Sequence, residues 1–242
     1  MSDGLRLCML ISGGGTTMQA IIRACKSGRL SGVNPVCVIA STPEAGGIQK
    51  ALTEGMLAED IKVIRPNKKS PEYFGAEIIE ACFARGVDLI GQYGWLPKTP
   101  ANVIEVYGGM MVNQHPGPLD PGYPDFGGKG MYGRRVHYAR LCFVRTVNRD
   151  FWTEATAQRV ALDFDKGAIL KMSRVDILPD DDVISLEARV LPQEHEVQIE
   201  VLADFARGEV VELVRIERLV LPGEEPILEE AKKMARKLFP KG

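Results

Sequence analysis

The chain has 242 residues, of which 45% are hydrophobic and 26% are charged, and its formal net charge is -2. This length and composition are typical of a soluble globular protein with one domain, with or without an appendage. The 30 basic and 32 acidic residues nearly cancel, so we expect neither a nucleic-acid partner nor a membrane surface. A small anionic ligand is compatible with this balance.

The cysteines and the amino terminus indicate a reducing compartment. The five cysteines are an odd number without a CxxC pair, and several lie in apolar runs. We therefore expect buried thiols, with no disulfide and no metal site. Residues 1–7 lack the features of a signal peptide, and no apolar stretch is long enough to span a bilayer. The expected localisation is cytoplasmic.

The first half of the chain alternates short apolar runs with segments of helical period. This alternation predicts βαβ units, and therefore an α/β fold with a mostly parallel sheet flanked by helices. The predicted strands are residues 5–11, 35–39, 61–64, 87–93 and 109–113, and the predicted helices are 16–26, 46–54, 71–85 and 101–106.

The second half is less regular. It has a polar, arginine-bearing segment at 130–149, strands at 157–163 and 168–175, a strand-like run at 211–221 and a helical tail at 225–239. A long helix is predicted over 185–206, starting near the acidic run PDDD, because carboxylates suit a helix N-terminus. The tail either packs on the rest of the chain or forms a homodimer interface, and the sequence does not decide between them.

A glycine-rich turn follows the first predicted strand, in ISGGGTTMQA at residues 11–20. Glycines let a ligand approach the backbone, and the amides of a helix N-terminus carry partial positive charge, so this turn suits a phosphate. It matches neither the dinucleotide pattern nor the nucleotide-binding P-loop, so a turn without a ligand is an equal alternative. The candidate residues are Gly13, Gly14, Gly15, Thr16 and Thr17.

A histidine lies at the end of the last predicted parallel strand, in GGMMVNQHP at 108–116. Asn113 and His115 are two residues apart and would share one face of the strand. Ligand crevices form at the carboxyl ends of such strands, where both side chains could donate hydrogen bonds to an oxygen that gains charge. A loop histidine with only local hydrogen bonds is equally compatible.

An aspartate follows a later apolar run, in VALDFDKGAIL at 160–170. If Asp165 lies near His115, its charge favours the imidazolium form and makes a proton donor and acceptor near neutral pH. From these residues alone, an Asp-Lys-Gly hairpin turn is the favoured alternative.

Together these motifs resemble the folate-dependent formyltransferases, from about residue 5 to 211. SGGGTTMQAII resembles that family's phosphate loop, MVNQHPGPLDPGYP its Asn-x-His-Pro signature, and LDFDKGAIL its aspartate segment. SLEARVLPQEHEV, which contains Glu194, resembles the helix of the members that act on glycinamide ribonucleotide.

The resemblance implies a Rossmann-like formyltransferase fold and a role in purine biosynthesis. It implies transfer of a formyl group from 10-formyltetrahydrofolate to the amine of glycinamide ribonucleotide. Asn113 and protonated His115 would stabilise the oxyanion, Asp165 would keep His115 charged and relay protons, and Glu194 would orient the amine. The residues implied for the folate pocket are Gly94, Trp95, Leu96, Leu162 and Asp163, with core packing as the alternative for Trp95 and Leu96.

The resemblance also implies a catalytic domain at 1–211, with an insertion at about 126–154, and an extension at 212–242. The inserted segment carries six basic residues that could meet a polyglutamate tail or a phosphate, unless they form a solvated helix face. We expect its His137 at the surface, and His195 to have a structural role. The basic residues are Lys129, Arg134, Arg135, Arg140, Arg145 and Arg149.

Departures from the family pattern leave three alternatives open. Thr17 stands where asparagine is usual, YGWLP at 93–97 replaces the usual folate-binding strand end, and Gln158 replaces a histidine. The chain could therefore use a modified folate or another formyl donor. It could instead act on a sugar nucleotide or aminoacyl-tRNA, or it could be a noncatalytic folate- or nucleotide-binding module.

Overall fold

The computed structural model describes residues 4–242, which fold into two compact units. The first unit consists of the chain up to Gln114 together with Gln198–Val210. The second consists of His115–Val197 and Val211–Gly242. Residues 212–242 therefore share a unit with much of the chain before them, and the predicted domain boundary at 211 stays a prediction. No helix of the described part of the chain is long and apolar enough to cross a membrane.

The first unit is built on parallel strands in the order β3-β2-β1-β4-β5. Strand β1 has neighbours on both sides, and residues 7–11 are fully buried, as expected for a central parallel strand covered on both faces. The order reverses between β1 and β4, because β2 lies on one side of β1 and β4 on the other. The strands are β1 Leu5–Ile11, β2 Val33–Ala40, β3 Ile61–Val63, β4 Leu89–Gln92 and β5 Met111–His115, whose last residue begins the second unit.

Four helices alternate with these strands. Their starts follow local chemistry: α3 begins at a proline and is capped by Ser70, whose hydroxyl accepts the Tyr73 amide at 3.2 Å. The alternation confirms the predicted α/β fold and mostly parallel sheet. The helices are α1 Thr16–Lys26, α2 Gly47–Thr53, α3 Pro71–Phe83 and α4 Ala101–Tyr107.

The second unit combines helices with an antiparallel pair of strands, β6 and β7. Its last helix, α7, packs on α5 and supplies buried Leu228, Ala231 and Ala235. The elements are α5 Arg134–Val147, β6 Trp152–Arg159, β7 Ile169–Asp176, the first part of α6 Val183–Arg207, and α7 Glu225–Leu238.

The arginine-bearing segment at 130–149, for which no element was predicted, contains a regular helix, α5, with a buried face. Two strand predictions for this half of the chain were wrong. The strand expected at 157–163 lies at Trp152–Arg159. The strand-like run at 211–221 forms only an isolated bridge between Leu213 and Ile169.

Candidate active site

The glycine-rich turn joins β1 to α1 in the first unit. Gly15 occupies the N-cap of α1 with φ 64°, and a Cβ there would lie 2.6 Å from the Cα of Gly47. Only glycine meets both the left-handed backbone and this close approach. Gly13 and Gly14 are exposed, and no atom lies within 4 Å of a Cβ built on Gly13. The turn therefore leaves backbone open at the N-terminus of an 11-residue helix.

A lysine that the sequence reasoning missed lies beside this turn. The ammonium of Lys50, on α2, lies 4.0 Å from the position of a Cβ on Gly14. Gly47, three residues earlier on α2, donates its amide to the Gly13 carbonyl at 3.0 Å, which brings α2 to the turn. A cation here complements the helix N-terminus toward an anion. The glycine-rich motif did not point to Lys50, because this residue is distant in sequence from the glycines.

The segment after β4 meets the same turn. The Ser12 amide donates to the Gly94 carbonyl at 3.1 Å, and the Leu96 amide donates to the Ser12 hydroxyl at 3.0 Å. The carboxyl ends of β1 and β4 thus meet where the strand order reverses, which is where open α/β sheets bind ligands. Trp95 is buried and stacks on Phe74 with 6.1 Å between ring centroids, so it packs in the core of this unit, whereas Leu96 is 47% exposed.

Asn113 lies in β5, paired in register with Gln92 of β4. The Gln92 side chain is buried and donates to the Thr99 hydroxyl at 2.6 Å. Asn113 is half-buried and so keeps part of its surface accessible. Strand pairing fixes its backbone near the carboxyl end of the sheet.

His115 and Asp165 come together in the second unit. The Nδ1 of His115 lies 3.7 Å from an Asp165 carboxylate oxygen, and their side chains are 3% and 9% exposed. This distance is longer than a hydrogen bond, so the two side chains are neighbours without a direct bond. The Nε2 of His115 has no hydrogen-bond partner among the described residues. The histidine therefore has one nitrogen facing its carboxylate and one available to another molecule.

The position of Asp165 is defined by its hydrogen bonds, its backbone conformation and its contact with Gly127. One carboxylate oxygen accepts the Gln158 side-chain amide and the other accepts the Gly128 backbone amide, both at 2.8 Å. The residue has φ 57°, a left-handed conformation that costs energy for a residue with a Cβ. Gly127 is close-packed: a Cβ there would lie 2.6 Å from the Asp165 Cβ. The Gln158 side chain thus orients the carboxylate.

The loop that supplies Gly128 is braced by a buried carboxylate. Asp125 is 1% exposed and accepts the amides of Gly127 and Asp120 at 3.0 and 3.1 Å. Lys166, the neighbour of Asp165, forms an ion pair with Asp125 at 3.1 Å. A proline- and glycine-rich segment without regular structure therefore has a fixed backbone beside the His115–Asp165 pair.

His137 was expected at the surface, and that prediction was wrong. It lies on the buried face of α5 and is 1% exposed. Burial lowers the pKa of His137 to about 4, and the nearby charges of His115 and Arg134 act in the same direction. A neutral imidazole therefore lies near His115.

Comparisons with known proteins identify the family of the chain. A formyl transferase family model matches residues 5–202. The chain belongs to the formyl transferase family. A phosphoribosylglycinamide formyltransferase of Haemophilus influenzae is 27% identical over 203 residues, which cover 84% of this chain and 88% of that protein. A chloroplastic one of Arabidopsis thaliana is 29% identical over 199 residues, which cover 81% of this chain but only 64% of that protein.

The fold is also that of solved formyl transferase structures. The glycinamide ribonucleotide transformylase 1 of Symbiobacterium toebii superposes with a TM-score of 0.74 at 26% identity, over 89% of this chain and 96% of that chain. The expected family and fold are therefore confirmed. Residues 203–242, including α7, lie beyond the match to the family model.

The basic residues of the segment predicted to be an insertion mostly bind other residues of the chain. Arg140 is fully buried between the rings of Phe126 and Trp152, and burial lowers its pKa to about 9. Arg135 donates to the carbonyls of Phe239 and Pro240. Arg134, Arg145 and Arg149 bond to Glu187, to carbonyls at 179 and 181, and to Glu224. Intramolecular contacts thus account for these five arginines, and Lys129 is exposed.

Four further residues singled out from the sequence lie in the second unit. Glu194 is buried on α6, and His195 beside it is half-buried. Leu162 is 58% exposed and Asp163 is exposed, both in the turn between β6 and β7. Among the described residues, no group of three His, Cys, Asp or Glu side chains could hold a metal ion.

Proposed function

We propose that this chain transfers a formyl group from 10-formyltetrahydrofolate to the amine of glycinamide ribonucleotide. The observation that carries the proposal is the buried His115–Asp165 pair, 3.7 Å apart within the segment that matches the formyl transferase family. The substrate is supported by relatives named phosphoribosylglycinamide formyltransferase, one of which is covered over 88% of its length.

The chemistry follows from the nitrogen of His115 that has no partner. The substrate amine attacks the formyl carbon, forming a C–N bond and a tetrahedral intermediate with a negatively charged oxygen. Nε2–H of His115 and the amide of Asn113, two residues earlier on β5, donate hydrogen bonds to that oxygen. Asp165, whose carboxylate lies 3.7 Å from Nδ1, orients the imidazole toward that oxygen. The proton leaving the attacking amine is passed through water to the folate nitrogen as the bond from that nitrogen to the formyl carbon breaks.

Binding of the ribose phosphate is assigned to the glycine-rich turn. Its exposed Gly13 and Gly14, the N-terminus of α1 and the nearby Lys50 ammonium provide a positive, open backbone site. Gly15, Thr16 and Thr17 supply the first amides of the helix, although Thr17 itself is buried. Glu194 is assigned to the substrate amine.

Five residues are assigned to the formyl donor. Of the residues assigned to the folate, Gly94, Leu96, Leu162 and Asp163 have accessible positions or backbone, whereas Trp95 packs on Phe74. Leu96 and Leu162 therefore remain the apolar contacts that we assign to the pterin.

We also propose a cytoplasmic localisation and a homodimer for this chain. The Arabidopsis relative is named chloroplastic.

The test is a steady-state assay with glycinamide ribonucleotide and a 10-formyl folate, comparing the native chain with His115→Ala and Asp165→Asn. We expect turnover that requires both substrates, and a loss of about 100-fold to 1,000-fold in kcat for His115→Ala, the typical effect of removing an oxyanion donor. His195→Gln is the control, because His195 is a half-buried histidine to which we assign a structural and not a catalytic role.

Binding measurements separate the parts of the proposal. Saturable binding of glycinamide ribonucleotide without turnover would point to another formyl donor. If the native chain neither binds nor formylates it, the substrate assignment fails. A His115→Ala variant that keeps native kcat with native folding would contradict the catalytic role.

A further inference from the structure

One peptide bond connects the carboxyl-terminal helix to the aspartate of the site. The Nζ of Lys232, on α7, donates to the Gly127 carbonyl at 3.0 Å. The amide of the same peptide bond, that of Gly128, donates to Asp165 at 2.8 Å. A trans peptide is planar with its C=O and N–H pointing in opposite directions, so the lysine lies on one side of this bond and the carboxylate on the other.

Lys232 is a charged side chain in a buried position. It is only 9% exposed, and burying an ammonium is unfavourable unless the charge is compensated. Burial lowers its pKa, and the negative charge of Asp125 acts in the opposite direction. Asp125 also accepts the Gly127 amide. Gly127 is thus fixed at its N–H by a carboxylate and at its C=O by an ammonium.

We propose that Lys232 is a positioning residue for the reaction, acting on Asp165 through the Gly127–Gly128 peptide. Its charge polarises this peptide and so strengthens the hydrogen bond from Gly128 to Asp165, because hydrogen bonds in a chain reinforce one another. It also fixes the orientation of a peptide bond between two glycines. Gly128 has φ 104°, a conformation from which a glycine peptide can rotate with little steric cost.

The carboxyl-terminal segment holds the other end of the same loop as well. Arg215 donates to the Leu119 carbonyl at 2.9 Å and forms an ion pair with buried Glu154 of β6. Two cations from residues 211–242 thus bind two carbonyls of the loop between His115 and α5. Since these residues follow the segment matched by the family model, the positioning device is supplied from outside it.

The first experiment compares Lys232→Met with Lys233→Met and rests on the proposed formyl transfer. Methionine keeps the length and burial of the side chain but removes the donor. We expect Lys232→Met to lower kcat by about tenfold, the effect of one weakened hydrogen bond, with the KM for both substrates unchanged. Lys233→Met should match the native chain, because Lys233 is exposed and pairs with Glu230 on the same helix. Lys232→Arg, which restores a charged donor, should recover most of the rate.

The second experiment does not depend on catalysis. Glycine labelled with ¹³C at the carbonyl and with ¹⁵N lets a carbonyl-to-amide NMR spectrum report only the five Gly–Gly peptides of the sequence. We expect the Gly128 amide proton to move upfield in Lys232→Met and to stay in place in Lys233→Met. The other four Gly–Gly amides are internal controls.

The two readouts together distinguish the possible failures. An unmoved Gly128 resonance in a folded Lys232→Met chain overturns the coupling, whatever the activity. A shifted resonance with native kcat overturns the positioning role. If the native chain has no formyl transfer but the resonance shifts, the peptide coupling stands and only the proposed function fails.

Discussion

The burial of His137 makes the stability of the second unit depend on pH. Its pKa is lowered from 6.5 to about 4 in the folded chain, so the unfolded state binds a proton more readily. The stability that its neutral form provides is therefore complete above about pH 6.5 and is lost as the pH falls through 4. Such a shift lowers the free energy of unfolding by an amount on the order of 3 kcal/mol when the pH falls from above 6.5 to below 4.

We therefore expect His137→Gln to flatten this acid dependence. The free energy of unfolding of the variant, minus that of the native chain, should rise as the pH falls from 6.5 to 4, because glutamine has no charge to gain. Urea unfolding across that range, followed by circular dichroism, measures the difference. A difference that is constant between pH 6.5 and 4 would show that His137 is protonated without cost in the fold.

Residue chemistry also explains which site residues the sequence could predict. His115 lies at the end of a strand whose apolar pattern is clear, so its position in the fold followed from local signals. The distance between His115 and Asp165, 50 residues apart in sequence, depended on tertiary structure and came only from the family resemblance. Lys50 and Lys232 gave no signal, because each reaches its glycine from a helix distant in sequence.

Among the elements, α6 has the clearest start signal. The Asp182 carboxylate accepts the Ser185 amide at 2.7 Å, and the Ser185 hydroxyl accepts the Asp182 amide at 2.9 Å. This is a reciprocal capping arrangement at the beginning of the helix that carries Glu194. Of the three successive aspartates, Asp182 is the cap, Asp181 pairs with Arg189, and Asp180 is exposed.

Removing that cap should weaken the protein measurably. We expect Asp182→Ala to reduce the free energy of unfolding by about 1 kcal/mol, the usual cost of losing an N-cap side chain. Asp180→Ala should change it by less than about 0.5 kcal/mol, as exposed substitutions do. Chemical denaturation of the two variants beside the native chain provides the comparison. Equal effects of the two substitutions would contradict the assignment of the cap.

The elements whose bounds the sequence did not predict have polar residues in the interior. Helix α5 buries Arg140 and His137 on its inner face, which hides the apolar period that marks an amphipathic helix. Strand β6 buries Glu154 and Gln158, each held by a partner: Arg215 for the first and Asp165 for the second. The strand was predicted at 157–163 because an apolar run follows β6. Paired buried charges are a tertiary effect, so periodicity alone could not reveal them.

At the scale of the whole molecule, the two halves of the chain differ in how local their structure is. In the first unit the strands β1 to β4 are each followed by a helix, and the predicted elements lie within a few residues of the observed ones. In the second unit the residues after 210 are needed to complete the packing, since α7 packs on α5 and the Tyr138 and Phe239 rings lie 5.7 Å apart. A sequence reading that treats the tail as an appendage misses this dependence.

That dependence can be measured on one helix. Leu228 of α7 is 1% exposed, whereas Leu238 on the same helix is 50% exposed. We expect Leu228→Ala to lower the free energy of unfolding by about 2 to 4 kcal/mol, because it removes buried methyl groups and leaves a cavity. Leu238→Ala should cost less than about 1 kcal/mol. If both substitutions are equally mild in denaturant unfolding, residues 212–242 are a dispensable appendage, and the integration of α7 into the second unit is wrong.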